Sequence, residues 1–246
     1  VVLVGSNLAW CHPVLFQRLA AAREARKTKV VVIDPRRTAT AEIADLHLAI
    51  APGTDVLLFN GLLAYLATVG AVDRAYVSRY TRGLEDALAA AAGVTLAEIA
   101  ATTDLPARDV ATFYEMFAET SRVVTVYSQG VNQSTAGTDK VNAILNCHLA
   151  TGRIGTPGCG PFSVTGQPNA MGGREVGGLA NVLAAHMELS NAGEREALKA
   201  FWGAPQIADR PGYKAVELFE AIGDGRIKAL WIISTNPVDS LPDADR

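Results

Sequence analysis

The sequence predicts an α/β fold: a doubly wound, mostly parallel sheet in a dinucleotide-binding domain over residues 1–165, followed by part of a second α/β domain over residues 166–246. Three observations predict it. Short apolar runs alternate with helical segments, glycine-containing turns follow several of these runs, and the first two runs enclose one helix within residues 1–33. That last arrangement is a β-α-β unit, which implies parallel strands and a right-handed crossover.

The individual elements follow from apolar runs and helix-end signals. Residues 1–4 form an apolar run before Gly5, which is typical of a buried strand entering a loop. Proline suits the first helical turn and positive charge the last, so the segment that opens at Pro13 and closes with basic residues predicts a helix. In chain order, the elements predicted after the first strand are a helix over residues 12–27, strands over 29–33 and 46–50, helices over 84–92, 96–101 and 107–120, a strand over 122–127 and a helix over 139–151.

The last third of the chain begins with a segment of different composition. Residues 152–178 hold nine of the 22 glycines, interleaved with apolar residues such as Phe162 and Met171. A segment of this kind predicts an ordered loop whose backbone approaches a ligand. After this loop the sequence predicts helices over residues 176–189, 194–201 and 213–222 and a strand over 230–233.

Composition excludes several classes of protein. The chain has 246 residues, a net charge of −3, 49% hydrophobic and 19% charged residues, which indicates a sizeable core and excludes a disordered chain. The absence of basic runs argues against nucleic acid or an anionic membrane as partner. The uncharged stretch between Asp55 and Asp73 is shorter than the ~20 apolar residues of a membrane span, so it predicts a buried helix.

Neither a disulfide framework nor a metal site is predicted. The three cysteines include no C-x-x-C pair. The pairs Cys11-His12 and Cys147-His148 are poor metal sites, because adjacent residues rarely ligate one ion and no further Cys or His lies at ligand spacing. We therefore interpret the cysteines of both pairs as buried thiols.

The loops that follow the predicted strands form the candidate site. In doubly wound sheets, ligands bind outside the carboxyl ends of the strands. Residues 5–7 can offer backbone N–H groups and a hydroxyl to a phosphate, although an ordinary β-α turn explains them equally well. Asp34 can hold ribose or base hydroxyls, or it can cap a helix or pair with Arg36 or Arg37. No G-x-G-x-x-G motif follows the first strand, which disfavours a nicotinamide cofactor.

Arg174 lies inside the glycine-rich segment, where a lone arginine has little structural reason to be. A guanidinium suits a planar oxyanion, because its donors form paired hydrogen bonds in one plane. An ion pair with Glu175 is the alternative.

Four segments together resemble the molybdopterin oxidoreductase family, the bis-molybdopterin-guanine-dinucleotide enzymes related to dimethyl sulfoxide reductase. The segments are VGSNLAWCHPVLFQRL, VVIDPRRTATAEIADLHLAIAPGTD, the stretch from YSQGVNQSTAGTDK to GGREVGG, and ALWIISTNPVDSLPDAD. They span nearly the whole chain. Within the family the resemblance is greatest to the catalytic subunit of the assimilatory branch of nitrate reductases.

The resemblance implies a set of site residues. It implies that Arg174 faces the substrate near molybdenum as the catalytic residue, and that no residue of this chain ligates a metal. Different loops are implied to hold the pterin and guanosine parts of two dinucleotides. The implied cofactor-binding residues are Gly5, Ser6, Asn7, Leu8, Ala9, Trp10, Cys11, Asp34, Pro35, Arg36, Arg37, Thr38, Gly53, Thr54, Asp55, Gln129, Gly130, Asn132, Gln133 and Asn236.

The resemblance also implies an activity: reduction of nitrate to nitrite by oxygen-atom transfer at a molybdenum bis-molybdopterin guanine dinucleotide centre, in the cytoplasm. Electrons would arrive through a 4Fe-4S cluster from ferredoxin, flavodoxin or a NADH-linked subunit. The cluster's cysteines, the molybdenum-ligating cysteine and a C-terminal barrel would lie outside this chain, so we expect an internal fragment that is inactive alone.

Two alternatives remain. One is a sibling enzyme such as a formate dehydrogenase, because loop residues rather than the fold decide the substrate. The other is a cofactor-free relative like the large iron–sulfur subunit of respiratory complex I. The retained GSN, IDPRR, GTD and QGVNQ loops count against this second alternative.

Overall fold

The computed structural model describes residues 1–166 and 169–241. The chain divides into two compact units, Val1–Gly166 and Gln167–Arg246, which are treated separately below.

A five-stranded sheet forms the centre of the first unit. Its strands are β1 (Val2–Val4), β2 (Val31–Ile33), β3 (Leu46–Leu48), β4 (Val124–Tyr127) and β5 (Gly160–Ser163). The spatial order is β3-β2-β1-β4-β5, and every pair is parallel. The predicted doubly wound parallel sheet is confirmed. The strand order reverses between β1 and β4, which is the switch point where such sheets bind ligands.

Most of the predicted helices form, with ends no more than two residues from the predicted ones. The helices of the first unit are α1 (Leu8–Cys11), α2 (Pro13–Arg26), α3 (Asp55–Thr68), α4 (Arg74–Tyr80), α5 (Leu84–Ala91), α6 (Leu96–Thr103), α7 (Ala107–Glu119), α8 (Gln129–Asn132) and α9 (Gly137–Ala150), with a 3-10 segment at Ala39–Ile43. The described part of the second unit contains α10 (Ala170–Glu175), α11 (Ala192–Trp202), α12 (Ala215–Gly223), α13 (Pro237–Ser240) and a 3-10 turn at Ala184–His186.

Alternate strand residues face opposite sides of the sheet, as the period of two requires. Val2, Val4 and Ile33 join a core with α3, α7 and α9, whereas Leu3 and Val32 join a second core with α2 and the 3-10 segment. The predicted burial of the uncharged segment is confirmed, because α3 lies inside the first core. No helix in the described ranges is both long and apolar enough to cross a membrane.

Three predicted elements are wrong. Residues 160–163 lie in the predicted glycine-rich loop but form edge strand β5. No helix spans residues 176–189, because Gly177 adopts a left-handed φ of +75° after α10 and Ala185 and His186 also have positive φ. Residues 230–233 form no strand: Trp231 is 86% exposed, and the described part of the second unit contains no strand that could pair with this segment.

A histidine is buried where α9 packs against the sheet. His148 is fully buried, and its Nε2 lies 2.8 Å from Thr125 Oγ1 on β4. Its ring stacks edge-on against Phe117, and its Nδ1 has no hydrogen-bond partner among the described residues. Burial, reinforced by the positive charge of Arg153, lowers the pKa of His148 to about 3.

This burial predicts a pH-dependent stability. The unfolded chain takes up a proton at an ordinary histidine pKa of about 6.5, whereas the folded chain resists protonation until about pH 3. The contribution of His148 to the free energy of unfolding is therefore complete above pH 6.5 and falls by about 1.4 kcal/mol per pH unit below it. The free energy of unfolding, measured by urea denaturation between pH 4.5 and 7.5, should depend less steeply on pH in His148→Gln than in the parent. The difference in slope should correspond to the uptake of one proton.

His186→Gln is the matched control, because it makes the same substitution at a histidine whose side chain is 69% exposed. An unchanged slope in His148→Gln would contradict the assignment of the pH dependence to His148.

Candidate functional site

The candidate site lies at the carboxyl edge of the sheet in the first unit. Parallel strands end at the same edge, so the loops after β1, β2, β3 and β4 meet there. These four loops hold all the predicted cofactor-binding residues except Asn236.

The β1 and β4 loops touch through two glycines. Gly130 N–H donates to Gly5 O at 3.1 Å, and a Cβ built on Gly5 would lie 2.7 Å from Gly130 Cα. A Cβ built on Gly130 would lie 2.6 Å from Gly5 Cα. Such distances are too short for any side chain, and Gly5 also has a φ of +51°. Both positions therefore require glycine, and the two loops approach one another closely at the switch point.

Ser6 follows Gly5 at this point and is 2% exposed. Its Oγ is buried and has no hydrogen-bond partner among the described residues. A buried hydroxyl without a partner is costly, so an orphaned one indicates a group that a ligand satisfies. Ser6 is thus the member of the predicted set whose surroundings point most directly to a bound ligand.

The rest of the β1 loop is only partly buried. Leu8 packs into the core, while Trp10 is 79% exposed. Cys11 is exposed, so the prediction that it is a buried thiol is wrong: α1 ends at Cys11 with Leu8 as its buried member. Cys147 is fully buried as predicted, its thiol donates to Phe59 O at 3.3 Å, and burial raises its pKa.

Asp34 directly follows β2 and is 6% exposed. Its Oδ1 accepts the backbone N–H of Arg36 at 2.9 Å, which closes a turn and leaves its Oδ2 without a hydrogen bond or ion pair to any described residue. No salt bridge joins Asp34 to Arg36 or Arg37 in the described structure, and Pro35 is exposed beside them. The Thr38 Oγ1 at the end of this loop is buried and, like Ser6 Oγ, has no partner among the described residues.

The β4 loop is the short helix α8. Gly130 and Asn132 are exposed on it, Gln129 is half-buried, and Gln133, directly after it, is exposed. Asn132 Nδ2 donates to Ser163 Oγ at the end of β5, at 3.2 Å. The β4 and β5 loops are thereby joined along the same edge.

The β3 loop carries Gly53, Thr54 and Asp55. Gly53 is exposed, and Thr54 Oγ1 donates to Ala51 O at 2.7 Å. Asp55 begins α3 and forms a buried ion pair, because its Oδ2 lies 2.7 Å from Lys140 Nζ on α9 and both side chains are at least nine-tenths buried. The ion pair engages one of the two carboxylate oxygens of Asp55.

Three residues outside the predicted set organise this edge. Thr40 is bonded to the β1 loop, Lys140 pairs with Asp55, and His12 Nε2 lies 2.6 Å from Thr165 O in the segment after β5. For Thr40 and Lys140 the sequence holds no distinguishing motif. The Cys11-His12 pair indicates only a poor metal site, so the sequence gives no signal for the contact of His12 with Thr165.

Arg174 and Asn236 belong to the second unit. Arg174 lies in α10, is exposed and makes no ion pair with a described residue. The alternative of an Arg174–Glu175 ion pair is not seen: Glu175 lies 3.9 Å from His186 instead. Asn236 precedes α13, and its Nδ2 donates to Asp239 Oδ2 at 2.8 Å.

A protein-family model described as molybdopterin oxidoreductase matches residues 1–246. The chain belongs to the molybdopterin oxidoreductase family. It is 53% identical over 248 residues to a nitrate reductase of Shewanella frigidimarina, covering 100% of this chain and 26% of that protein. It is 55% identical over 245 residues to a nitrate reductase of Klebsiella oxytoca, covering 99% of this chain and 28% of that protein. The resemblance read from the sequence motifs is confirmed.

Among solved structures, the acetylene hydratase from Pelobacter acetylenicus matches this molybdopterin oxidoreductase chain with a TM-score of 0.59 at 26% identity. The match covers 64% of this chain and 22% of the hydratase. The chain spans about a quarter of the length of the two nitrate reductases that it resembles.

The buried ion pair generates a stability prediction for this family member. Lys140→Met leaves the Asp55 carboxylate buried without its partner, which should lower the free energy of unfolding by about 3–5 kcal/mol. The double variant Asp55→Leu/Lys140→Met should regain most of that loss, because it removes both charges together. Urea unfolding of the three proteins measures the difference.

Lys29→Met is the control, since Lys29 is a 67% exposed lysine that lies 3.7 Å from Asp45, and the change should alter stability by less than about 1 kcal/mol. If Lys140→Met were no more destabilising than Lys29→Met, the ion pair would not be what holds α3 to α9.

Proposed function

We propose that the carboxyl edge of the first unit holds a guanine dinucleotide end of a molybdenum–pterin cofactor. Family membership implies a molybdenum–pterin cofactor. The donor set fits such a group, because the edge offers a buried unpartnered hydroxyl at Ser6 and a second at Thr38. The orphaned Ser6 Oγ is the observation that carries this proposal.

Each loop has a part in the proposed site. The loop of residues 5–11 and the α8 loop flank the switch point, where the Gly5–Gly130 contact brings their backbones together. Asp34 offers Oδ2 to hydroxyl or N–H groups of a guanosine, since its Oδ1 is engaged in the turn. Gly53, Thr54 and Asp55 continue the surface along the β3 side.

The proposed activity of the intact protein is reduction of nitrate to nitrite. It is supported by the two relatives at 53% and 55% identity, both of which are named nitrate reductases. When bound, a molybdenum centre supplies the two-electron chemistry of oxygen-atom transfer. The part of this chain is to bind and orient the cofactor and to hold the anion.

The finer parts of this proposal follow the family resemblance. They are a guanine dinucleotide form of the cofactor, a 4Fe-4S cluster with ligands outside this chain, an assimilatory role in the cytoplasm, and an electron donor that is ferredoxin, flavodoxin or a NADH-linked subunit.

Arg174 is the proposed nitrate-binding residue. Nitrate is planar and singly charged, and a guanidinium offers a permanent positive charge with donors in one plane. The exposed side chain of Arg174 has no ion-pair partner among the described residues that would occupy those donors. Gly172 and Gly173 precede it on α10 and add no side chains beside the guanidinium.

The cofactor proposal predicts that one substitution lowers cofactor content without lowering the stability of the cofactor-free protein. In the full-length protein, Ser6→Ala should lower the molybdenum and guanine content per polypeptide by about tenfold, because a hydrogen bond to a charged ligand is lost. The cofactor-free form of the same variant should be as stable as the parent or about 1 kcal/mol more stable, because an unsatisfied buried hydroxyl is removed. Metal analysis, nucleotide release in acid and urea unfolding give the three values.

Ser78→Ala is the control, because Ser78 Oγ is exposed and bonded to Ala75 O on α4, away from the sheet edge. Parental cofactor content in Ser6→Ala would contradict the placement of the ligand at this hydroxyl.

The proposal for Arg174 predicts a selective kinetic defect. In the full-length enzyme, Arg174→Lys should keep its molybdenum content but lose about one to two decades in kcat/KM for nitrate, with KM raised at least as much as kcat falls. The reason is that an ammonium cannot reproduce the paired planar donors. Steady-state nitrate reduction with a dye reductant measures both constants.

Arg210→Lys serves as the control, since Arg210 is an exposed arginine of the same unit and makes no ion pair with a described residue. Unchanged nitrate kinetics in a fully molybdenum-loaded Arg174→Lys enzyme would end the proposal.

A further inference from the structure

Thr40 lies between two of the candidate loops and was not singled out by any sequence motif. It belongs to the 3-10 segment that follows the β2 loop, and it is 0% exposed. Its Oγ1 accepts the backbone N–H of Ala9 at 3.0 Å and lies 2.9 Å from Asn7 Oδ1. A single buried hydroxyl therefore joins the β2 side of the site to the β1 loop.

The direction of these hydrogen bonds follows from the protons available. The Ala9 N–H is a donor, so the Thr40 oxygen must accept there. Thr40 then has one hydrogen left, and as a fully buried group it needs an acceptor for it. The Asn7 side-chain oxygen at 2.9 Å is that acceptor. The amide of Asn7 is thus held with its oxygen toward Thr40 and its NH₂ group away from it.

The outward NH₂ group is unused within the protein. Asn7 Nδ2 makes no hydrogen bond with a described residue, and Asn7 is only half-buried. Ser6, its neighbour, carries the orphaned hydroxyl at the same turn. A rotated Asn7 amide would instead present an oxygen, which repels the anionic groups of a nucleotide.

We infer that Thr40 is a positioning residue that orients Asn7 as a hydrogen-bond donor, so that this corner of the site takes an acceptor oxygen of the bound cofactor. Thr40 itself does not touch the ligand and acts through Asn7. This inference rests on the proposed cofactor site. It adds a residue from outside the cofactor-binding set and fixes which half of the Asn7 amide faces the ligand.

The experiment uses the full-length protein loaded with its cofactor, and the readout is the rate at which molybdenum and guanine nucleotide are lost on dilution. Thr40→Val keeps the shape and removes the hydroxyl, and it should speed the loss about tenfold. Thr40→Ser keeps the hydroxyl and should stay within about threefold of the parent. Asn7→Asp keeps the acceptor for Thr40 but cannot donate, and it should lose cofactor at least as fast as Thr40→Val.

A double-mutant cycle separates positioning from general stabilisation. If Thr40 acts through Asn7, Thr40→Val/Asn7→Asp should lose cofactor no faster than Asn7→Asp alone. Multiplicative effects of the two substitutions, or parental retention in Thr40→Val, would overturn the inference. Thr125→Val is the matched control, a fully buried threonine whose hydroxyl is bonded to His148 in the sheet interior; it should alter stability without altering cofactor loss.

Two further outcomes are covered: a Thr40→Val variant that does not fold, and a parental protein that carries no cofactor. If Thr40→Val fails to fold, the pair Asn7→Asp and Thr40→Ser decides: Asn7→Asp should lose cofactor with an unchanged melting temperature of the cofactor-free protein, and retention there overturns the inference. Absence of molybdenum and guanine from the parental protein would instead count against the proposed function itself.

Discussion

The close approach of the β1 and β4 loops is the constraint on which the rest of the first unit depends. Gly5 and Gly130 are packed so tightly that neither tolerates a Cβ. Their contact keeps the ends of the two central strands adjacent at the place where the strand order reverses. Because both residues lack side chains, the two loop backbones come into direct contact at the switch point, where sheets of this kind bind ligands.

Around this contact, each flanking loop is fastened by a different interaction. The β2 side is joined to the β1 loop by the Thr40 hydroxyl, and the β5 segment is joined to the start of α2 by His12. On the remaining side, the Asp55–Lys140 ion pair connects the start of α3 to α9, which follows the β4 loop. The loops are therefore held in place by side chains that are mostly buried.

The sequence predicted the parts of the fold that depend on local pattern. The apolar runs at β1, β2 and β4 are long enough to indicate buried strands, and the proline and basic residues of α2 indicate its ends. Strand β5 was missed because it begins with Gly160 and Pro161 and lacks an apolar run. Its pairing is set by its position at the edge of the sheet, where proline is tolerated. Residues 230–233 are the converse case: they have an apolar run but form no strand. An apolar run forms a strand only where a partner strand is available.

The candidate site could be predicted only in part, and the reason lies in how its residues work. Glycine turns and a strand-end carboxylate leave a signature in the sequence, because their chemistry is local. Thr40 and Lys140 act on residues 33 and 85 positions away, which no spacing rule connects to them. Among the described residues, the six buried polar atoms without a partner include Ser6 Oγ and Thr38 Oγ1, which lie in the loops that follow β1 and β2. Buried polar groups are nearly always satisfied in folded proteins. The two orphaned hydroxyls in these loops therefore argue that this edge is completed by a bound group.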